Sequence, residues 1–265
     1  MSLRLSLRRL TVFLGAVALG LLATTASAPA DLSLDVSPAK YEFQLGAGKS
    51  QTIPILVRNN GSASVHIQVS LSDFLVERDG NYKFLPLGKG PYSMSTWTDV
   101  NPREFDLDPN SFKQVRFTIS VPAGMSGEFS DLVFFTTRPP RKPGGLAIAE
   151  RVASKLYEIV PDTAKFAGEI DDVAAKPDAS GEKYVVGFHN TGNAHVYLSG
   201  RVEIKSGSQV IDRVILPKDM LVERNGKRMI EAVGKKLAAG SYSAIAFIDY
   251  GGPNLIAGQT NFVVH

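Results

Sequence analysis

The sequence predicts an all-β protein, two β-sandwiches in tandem behind an N-terminal signal peptide. Three observations carry that reading. Apolar side chains recur at every second position in short stretches such as Ile53, Ile55 and Val57, or Val115, Phe117 and Ile119; strands that bury one face have this spacing. Clusters of Asn, Gly and Pro punctuate the stretches and supply the backbone angles that tight turns need. No stretch shows a helical period of apolar residues. About seven short strands in the first half, with turn signals between them, point to an immunoglobulin-like sandwich.

Residues 1–30 stand apart. Arg4, Arg8 and Arg9 form a basic start, residues 10–22 an apolar run, and Ala28-Pro29-Ala30 a small-residue cleavage signature. Those are the parts of a secretory signal peptide, with cleavage after Ala30. The apolar run is short for a membrane span and no stop-transfer pattern follows it; a retained N-terminal anchor is the alternative. Of the 29 Lys and Arg, these three lie in the leader, which has no acid, and the rest balance the 26 Asp and Glu. The formal charge of +3 is thus carried by the leader. A near-neutral remainder gives no argument for nucleic acid or a membrane surface as partner. There is no cysteine, so no disulfide framework and no lipid-attachment site, and the cores must hold by packing. An exported protein of the bacterial periplasm is the reading, with the cell surface or secretion as alternatives.

The 265 residues, less the leader, suffice for two domains each with its own core. Residues 31–162 and 163–265 are the expected domains, joined over a stretch too short to be floppy. In the first, residues 32–43 (L-S-L-D-V-S-P-A-K-Y-E-F) read as a strand broken by Pro38, the mark of an edge or a switch between sheets. Gly46-Ala47-Gly48 turns the chain into the strand of Ile53, Ile55 and Val57. Asn59-Asn60-Gly61-Ser62 is a turn, after which Val65, Ile67, Val69 and Leu71 alternate with His66, Gln68 and Ser70. Asp79-Gly80-Asn81 is a hairpin turn. Pro102 and Pro109 flank a short strand, Val115, Phe117, Ile119 and Val121 form a clean one, and residues 132–135 read as a strand buried on both faces.

A long strand within residues 141–161 closes the first half. A Pro/Gly loop opens it, Leu146 and Ile148 point one way and Ala147 and Ala149 the other, and Lys155 stands alone before Leu156 and Tyr157. The second half repeats the style of the first, not its sequence. Strands are expected at 166–173, 184–188, 196–204, 210–216, 229–233, 242–249 and 256–264, with turns at Asn190-Thr191-Gly192-Asn193, Asn225-Gly226 and Gly251-Gly252-Pro253.

Catalytic patterns are missing. His66, His189, His195 and His265 have no metal-ligand spacing; His66 falls on a polar strand face, His189 and His195 flank a turn, and each reads as a surface histidine. There is no Gly-x-Ser-x-Gly elbow. Glu169, Asp171, Asp172 and Asp178 lack the glycine and final glutamate of a calcium loop and read as a solvated strand end. Trp97, Phe134, Phe135 and Tyr157 read as sandwich core. No interleaving of aromatics with Arg or Lys suggests a nucleic-acid platform. The chain reads as no enzyme, with no cofactor, metal or small-molecule substrate. What remains is binding.

Here the residues resemble a family, the periplasmic chaperones of chaperone–usher pilus assembly. L-S-L-D-V-S-P-A-K-Y-E-F resembles that family's first strand, with its basic residue at Lys40. Leu146-Ala147-Ile148-Ala149 followed by Lys155-Leu156-Tyr157 resembles its L-x-I-A…K-L-F-Y edge strand. Ile248-Asp249-Tyr250-Gly251-Gly252 resembles its D-Y-G-G turn, and the strand–turn–strand pattern from Tyr184 to Tyr197 the opening of its second domain. The likeness spans nearly all of the chain after the leader.

The resemblance implies a chaperone for pilus or fimbrial subunits, with an outer-membrane usher as a second candidate partner. A subunit of that family is a sandwich lacking one strand, and the chaperone lends its own edge strand. Leu146, Ile148 and Val152 would be the donor side chains. Lys40 and Lys155 would hold the subunit's C-terminal carboxylate by charge-assisted hydrogen bonds, without the fork that the family's arginine provides at the position of Lys40. Two departures stand out. Glu150 occupies an inward position where the family prefers an apolar residue, and Glu158-Ile159 stand where an arginine usually follows. The family's ion network between domains thus lacks a member, although Asp249 is present. The plainer alternatives are that Lys155 guards a sheet edge against aggregation and that Leu146 and Ile148 pack within the first sandwich. The rival function is a non-catalytic immunoglobulin-like protein of the cell surface, adhesive or structural in the envelope.

Overall fold

A computed structural model describes residues 33–138 and 148–265. The expected leader and Leu146 lie outside the described residues. Among them the chain forms eighteen strands, β1 to β18, and one 3-10 turn at Ser95–Trp97.

The first ten strands make two facing sheets. One has the order β1 (Leu34–Ser37), β3 (Ser50–Asn59), β8 (Phe112–Ser120), β6 (Thr98–Asn101). The other runs β2 (Lys40–Gln44), β10 (Arg151–Ile159), β9 (Glu128–Arg138), β4 (Val65–Val76), β5 (Tyr82–Leu85), with β7 (Glu104–Leu107) on the first part of β4. The period-two residues interdigitate between them: Ile53, Ile55, Val57, Val115, Phe117 and Ile119 meet Ile67, Val133, Phe135 and Leu156, all at most 1% exposed. Each such side chain stabilises the fold by roughly 1.5–3 kcal/mol.

Pro38 acts as its sequence implies. Before it, β1 pairs antiparallel with β3; after it, β2 crosses to the other sheet and pairs in parallel with β10. A residue without an N–H suits the point where the chain leaves one ladder for the next. Pro54 lies inside β3, yet β1 reaches only Leu56, so the proline pairs with β8 on one side and, among the described residues, with no strand on the other.

The last eight strands make a second pair of sheets. One is β11 (Gly168–Asp178), β12 (Gly181–Asn190), β16 (Lys227–Val233); the other is β14 (Gln209–Ile215), β13 (Val196–Ser206), β17 (Gly240–Asp249), β18 (Ile256–Val264). Tyr184, Val186 and Phe188 face Val202, Ile204, Ala244, Ala246 and Ile248 in a second core. Each expected strand of this half is present. The three-residue β15 (Met220–Val222), paired with the start of β13, was too short to leave a periodic signal.

Three expectations change. The closing strand of the first half is shorter than its alternation suggested: β10 starts at Arg151, and Ile148 to Glu150 carry no strand pairing. Alternation reports which way side chains point, not whether a partner strand lies beside them. Phe135 is core, but Phe134 and Tyr157 belong to a separate cluster with Phe74 and Leu132 on the outer face of the second sheet. Finally, the halves share more than style. Asn59 and Asn190 make the same knot: each amide nitrogen donates to the carbonyl four residues on, at 2.8 Å, and each side-chain oxygen accepts from the N–H of the following glycine, Gly61 at 3.0 Å and Gly192 at 2.9 Å.

Candidate functional site

The parallel pairing of β2 with β10 sets Lys40 opposite Lys155. Each ammonium meets one tyrosine and one glutamate. Lys40 lies 2.7 Å from the Glu42 carboxylate and donates to the Tyr197 hydroxyl, which itself donates to Glu42. Lys155 donates to the Tyr82 hydroxyl and stands 3.8 Å from Glu223. Each ammonium thus sits at the hydroxyl end of its tyrosine, Lys40 at 4.5 Å from the Tyr197 ring centroid and Lys155 at 4.6 Å from that of Tyr82. Tyr197 and Glu223 come from the last eight strands and their loops, so the lysines sit at a seam between the two sandwiches.

Charges interact strongly here. Burial pulls the Lys40 ammonium down, but bonds to Glu42 and Tyr197 outweigh it and hold it above the ordinary lysine value. Burial pushes the Glu42 carboxyl up, and Lys40, Tyr197 and His195 more than reverse that. Burial also raises the Glu223 carboxyl, with Lys155 opposing. The Tyr157 hydroxyl, kept neutral by burial and the Glu223 charge, donates to Glu223 at 2.9 Å.

Below the lysines lies a buried ion network that the sequence did not reveal. The Nδ1 of His195 is 2.5 Å from Glu128 Oε2, and the His195 N–H donates to the same oxygen at 3.1 Å. His195 Nε2 stands 3.5 Å from Glu42. Arg224 donates to the Glu128 carbonyl at 2.8 Å and stacks over Tyr92 at 4.2 Å. The expectation of a surface histidine is therefore corrected for His195, which is 6% exposed: its turn packs against β9 instead of facing water. The network also runs through other residues than those expected. Asp249 is exposed, and its carboxylate accepts from the Gly251 N–H at 2.9 Å, an ordinary turn contact. His66 and His189 are half-buried on strands and pair with Asp106 and Glu169. Among the described residues no group of three or more His, Asp or Glu stands close enough to hold a metal ion.

The open edge lies just above Lys155. β10 pairs with β9 from Arg151 onward but with β2 only from Lys155. Residues 151–154 are thus laddered to β9 on one side and, among the described residues, to no strand on the other, although β1 runs close by. Ile148 is 57% exposed, so it does not pack within the first sandwich. Val152 is half-buried against the first core. Glu150 has a role that explains its polarity: its carboxylate accepts from the Leu34 N–H at 3.0 Å, and its own N–H donates to Thr137 Oγ1 at 2.8 Å. It ties β10 to the first residue of β1. Ser154 adds a bond to the Pro38 carbonyl at 2.7 Å.

No protein-family model matches the chain, and no curated protein matches it. Solved structures do. A structure of the chaperone–tip adhesin complex of CFA/I fimbriae biogenesis matches with a TM-score of 0.50 at 12% identity, covering 86% of this chain and 98% of that one. The class 5 fimbriae chaperone CfaA matches at 0.49 and 12%, with the same coverage. The complex of SafA pilin with the SafB chaperone from Salmonella enterica matches at 0.46 and 15%, covering 89% and 99%. In fold, the chain is one of the two-sandwich proteins to which the solved fimbrial chaperones belong.

Proposed function

We propose that the protein is a periplasmic chaperone that binds pilus or fimbrial subunits, lending them a strand and anchoring their C-terminal carboxylate. The observation that carries this is the register pairing of Lys40 with Lys155 directly beside the open edge of β10. An unpaired row of N–H and C=O groups is a template for another chain's strand. Two ammonium groups at its foot offer charge-assisted hydrogen bonds to a chain terminus. Leu146 and Ile148 fill the subunit's groove, with Val152 as the base of the donor segment. Residues 31–162 form the domain that donates and residues 163–265 the one that closes the seam. No bond is made or broken, so the protein needs no catalytic residue. Export follows from the leader, and an outer-membrane usher is the further partner the reading implies.

Co-purification from the periplasm tests it, with tagged wild type beside Lys155→Ala and Ile148→Asp. The expected result is a small β-rich subunit recovered with wild type and lost from both variants while their melting temperatures stay unchanged. If nothing co-purifies and the wild type fractionates with the envelope, the adhesive or structural surface protein is the better account.

A further inference from the structure

We infer that Glu42 is a built-in competitor for the anchor: its carboxylate occupies Lys40 in the free protein, and an arriving chain terminus must displace it onto His195. The inference rests on Lys40 and Lys155 being the carboxylate anchor.

Glu42 lies two residues beyond Lys40, on the same face of β2, so its carboxylate reaches the ammonium without leaving the strand. It is held there at 2.7 Å and by the Tyr197 hydroxyl. This is the geometry a foreign carboxylate would seek, one oxygen on an ammonium with a phenol beside it. Lys155 is guarded differently. Its acid, Glu223, stands farther off at 3.8 Å and is fixed by Tyr157. The Glu223 side chain is 15% exposed, against 36% for Glu42. Glu42 is the acid free to move.

It also has somewhere to go. His195 Nε2 is 3.5 Å from the Glu42 carboxylate, while its Nδ1 is committed to Glu128 at 2.5 Å. An imidazolium between two carboxylates can take Glu42 fully when Lys40 turns to another anion. Beside them is an open pocket of about 350 Å³, lined by Glu42, Ile159, Phe166, His195, Tyr197 and Tyr250, with room for the displaced side chain. The free protein thereby keeps its ammonium satisfied, and weak anions do not hold the cleft. The charged and titratable groups facing His195 are Glu128 from β9, Glu42 from β2, Tyr157 from β10, Tyr197 from β13 and Glu223 from the loop before β16.

The probe is a short alternating Val/Thr peptide ending in a free carboxylate, beside its C-terminal amide. Binding is followed by the chemical shifts of the Lys40 and Lys155 side chains. Wild type should prefer the carboxylate form. Glu42→Gln should bind it about two- to five-fold more tightly than wild type, the worth of a half-exposed ion pair, with the amide unchanged. Glu42→Ala should behave the same way, and it decides the matter if the glutamine variant melts early. Equal or weaker carboxylate binding by both variants, with the wild-type preference intact, overturns the competitor while leaving the anchor. Equal binding of the two peptides by wild type and by Lys155→Ala removes the anchor and the inference with it.

Discussion

His195 and Glu128 share a buried hydrogen bond of 2.5 Å, with their side chains 5% and 2% exposed. One comes from the turn before β13 and the other opens β9, so the bond ties the two sandwiches together. Its physics is lopsided: two buried charges cost several kcal/mol to desolvate, and losing one strands the other.

Either single removal should therefore be severe. His195→Ala or Glu128→Ala is expected to lower unfolding free energy by about 3–5 kcal/mol, read by urea denaturation. The double variant Glu128→Leu with His195→Leu should cost clearly less than the two single losses combined, since neighbours in one network do not add.

Stability should fall as pH rises from acid to alkaline. Burial opposes the His195 charge, but Glu128 outweighs it and raises the group above 6.5. Its contribution is full below the unfolded value and is lost as pH climbs through the folded one. Asp131 is wholly buried, and burial first and the nearby Asp73 charge second push it up to about 9. Glu158 is pushed to about 7, by burial first and the Glu128 charge after. Both acids hold a proton in the folded state that the unfolded chain releases near pH 4, so both also lose stability as pH rises. Melting temperature should drop steadily between pH 5 and about 9. Asp131→Asn, which keeps the shape and cannot ionise, should flatten the upper part of that slope.

The Asn190 knot should be costly to cut. Its amide nitrogen donates to the carbonyls of Ala194, Val222 and Glu223 at 2.8, 3.2 and 3.0 Å. It thereby positions both His195 and Glu223. Asn190→Ala leaves those carbonyls without their donor and should destabilise by about 3 kcal/mol, measured by thermal melting. Asn59→Ala should cost a similar amount in the first sandwich, where the same nitrogen reaches Ala63, Leu107 and Asp108, but leave the seam intact.

The period-two residues made the cores legible, because Ile53, Ile55 and Val57 state their facing without help from any distant residue. Pro38 declared its switch for the same local reason. The seam was hidden. Nothing near His195 distinguishes a solvent-facing turn from one packed on another sandwich, and Glu128 lies far from it in sequence. The sequence does carry one signal for it: R-N-N-G-S-A and H-N-T-G-N-A share Asn-x-Gly-x-Ala, and a repeated knot marks equivalent places in the two halves. Lys155 stands out in its strand as a lone lysine, but only the family resemblance pairs it with Lys40; spacing alone cannot. Glu150 read as a defect in a donor strand until its bond to Leu34 gave it a purpose.

Hydrogen exchange along β10, in the free protein and in a purified complex with its subunit, tests strand donation most directly. The account predicts that edge amides among residues 151–154, exchanging freely in the free protein, become strongly protected in the complex. Those of β5 should stay as they were. Unchanged exchange along residues 151–154, with protection appearing on another surface, would contradict it.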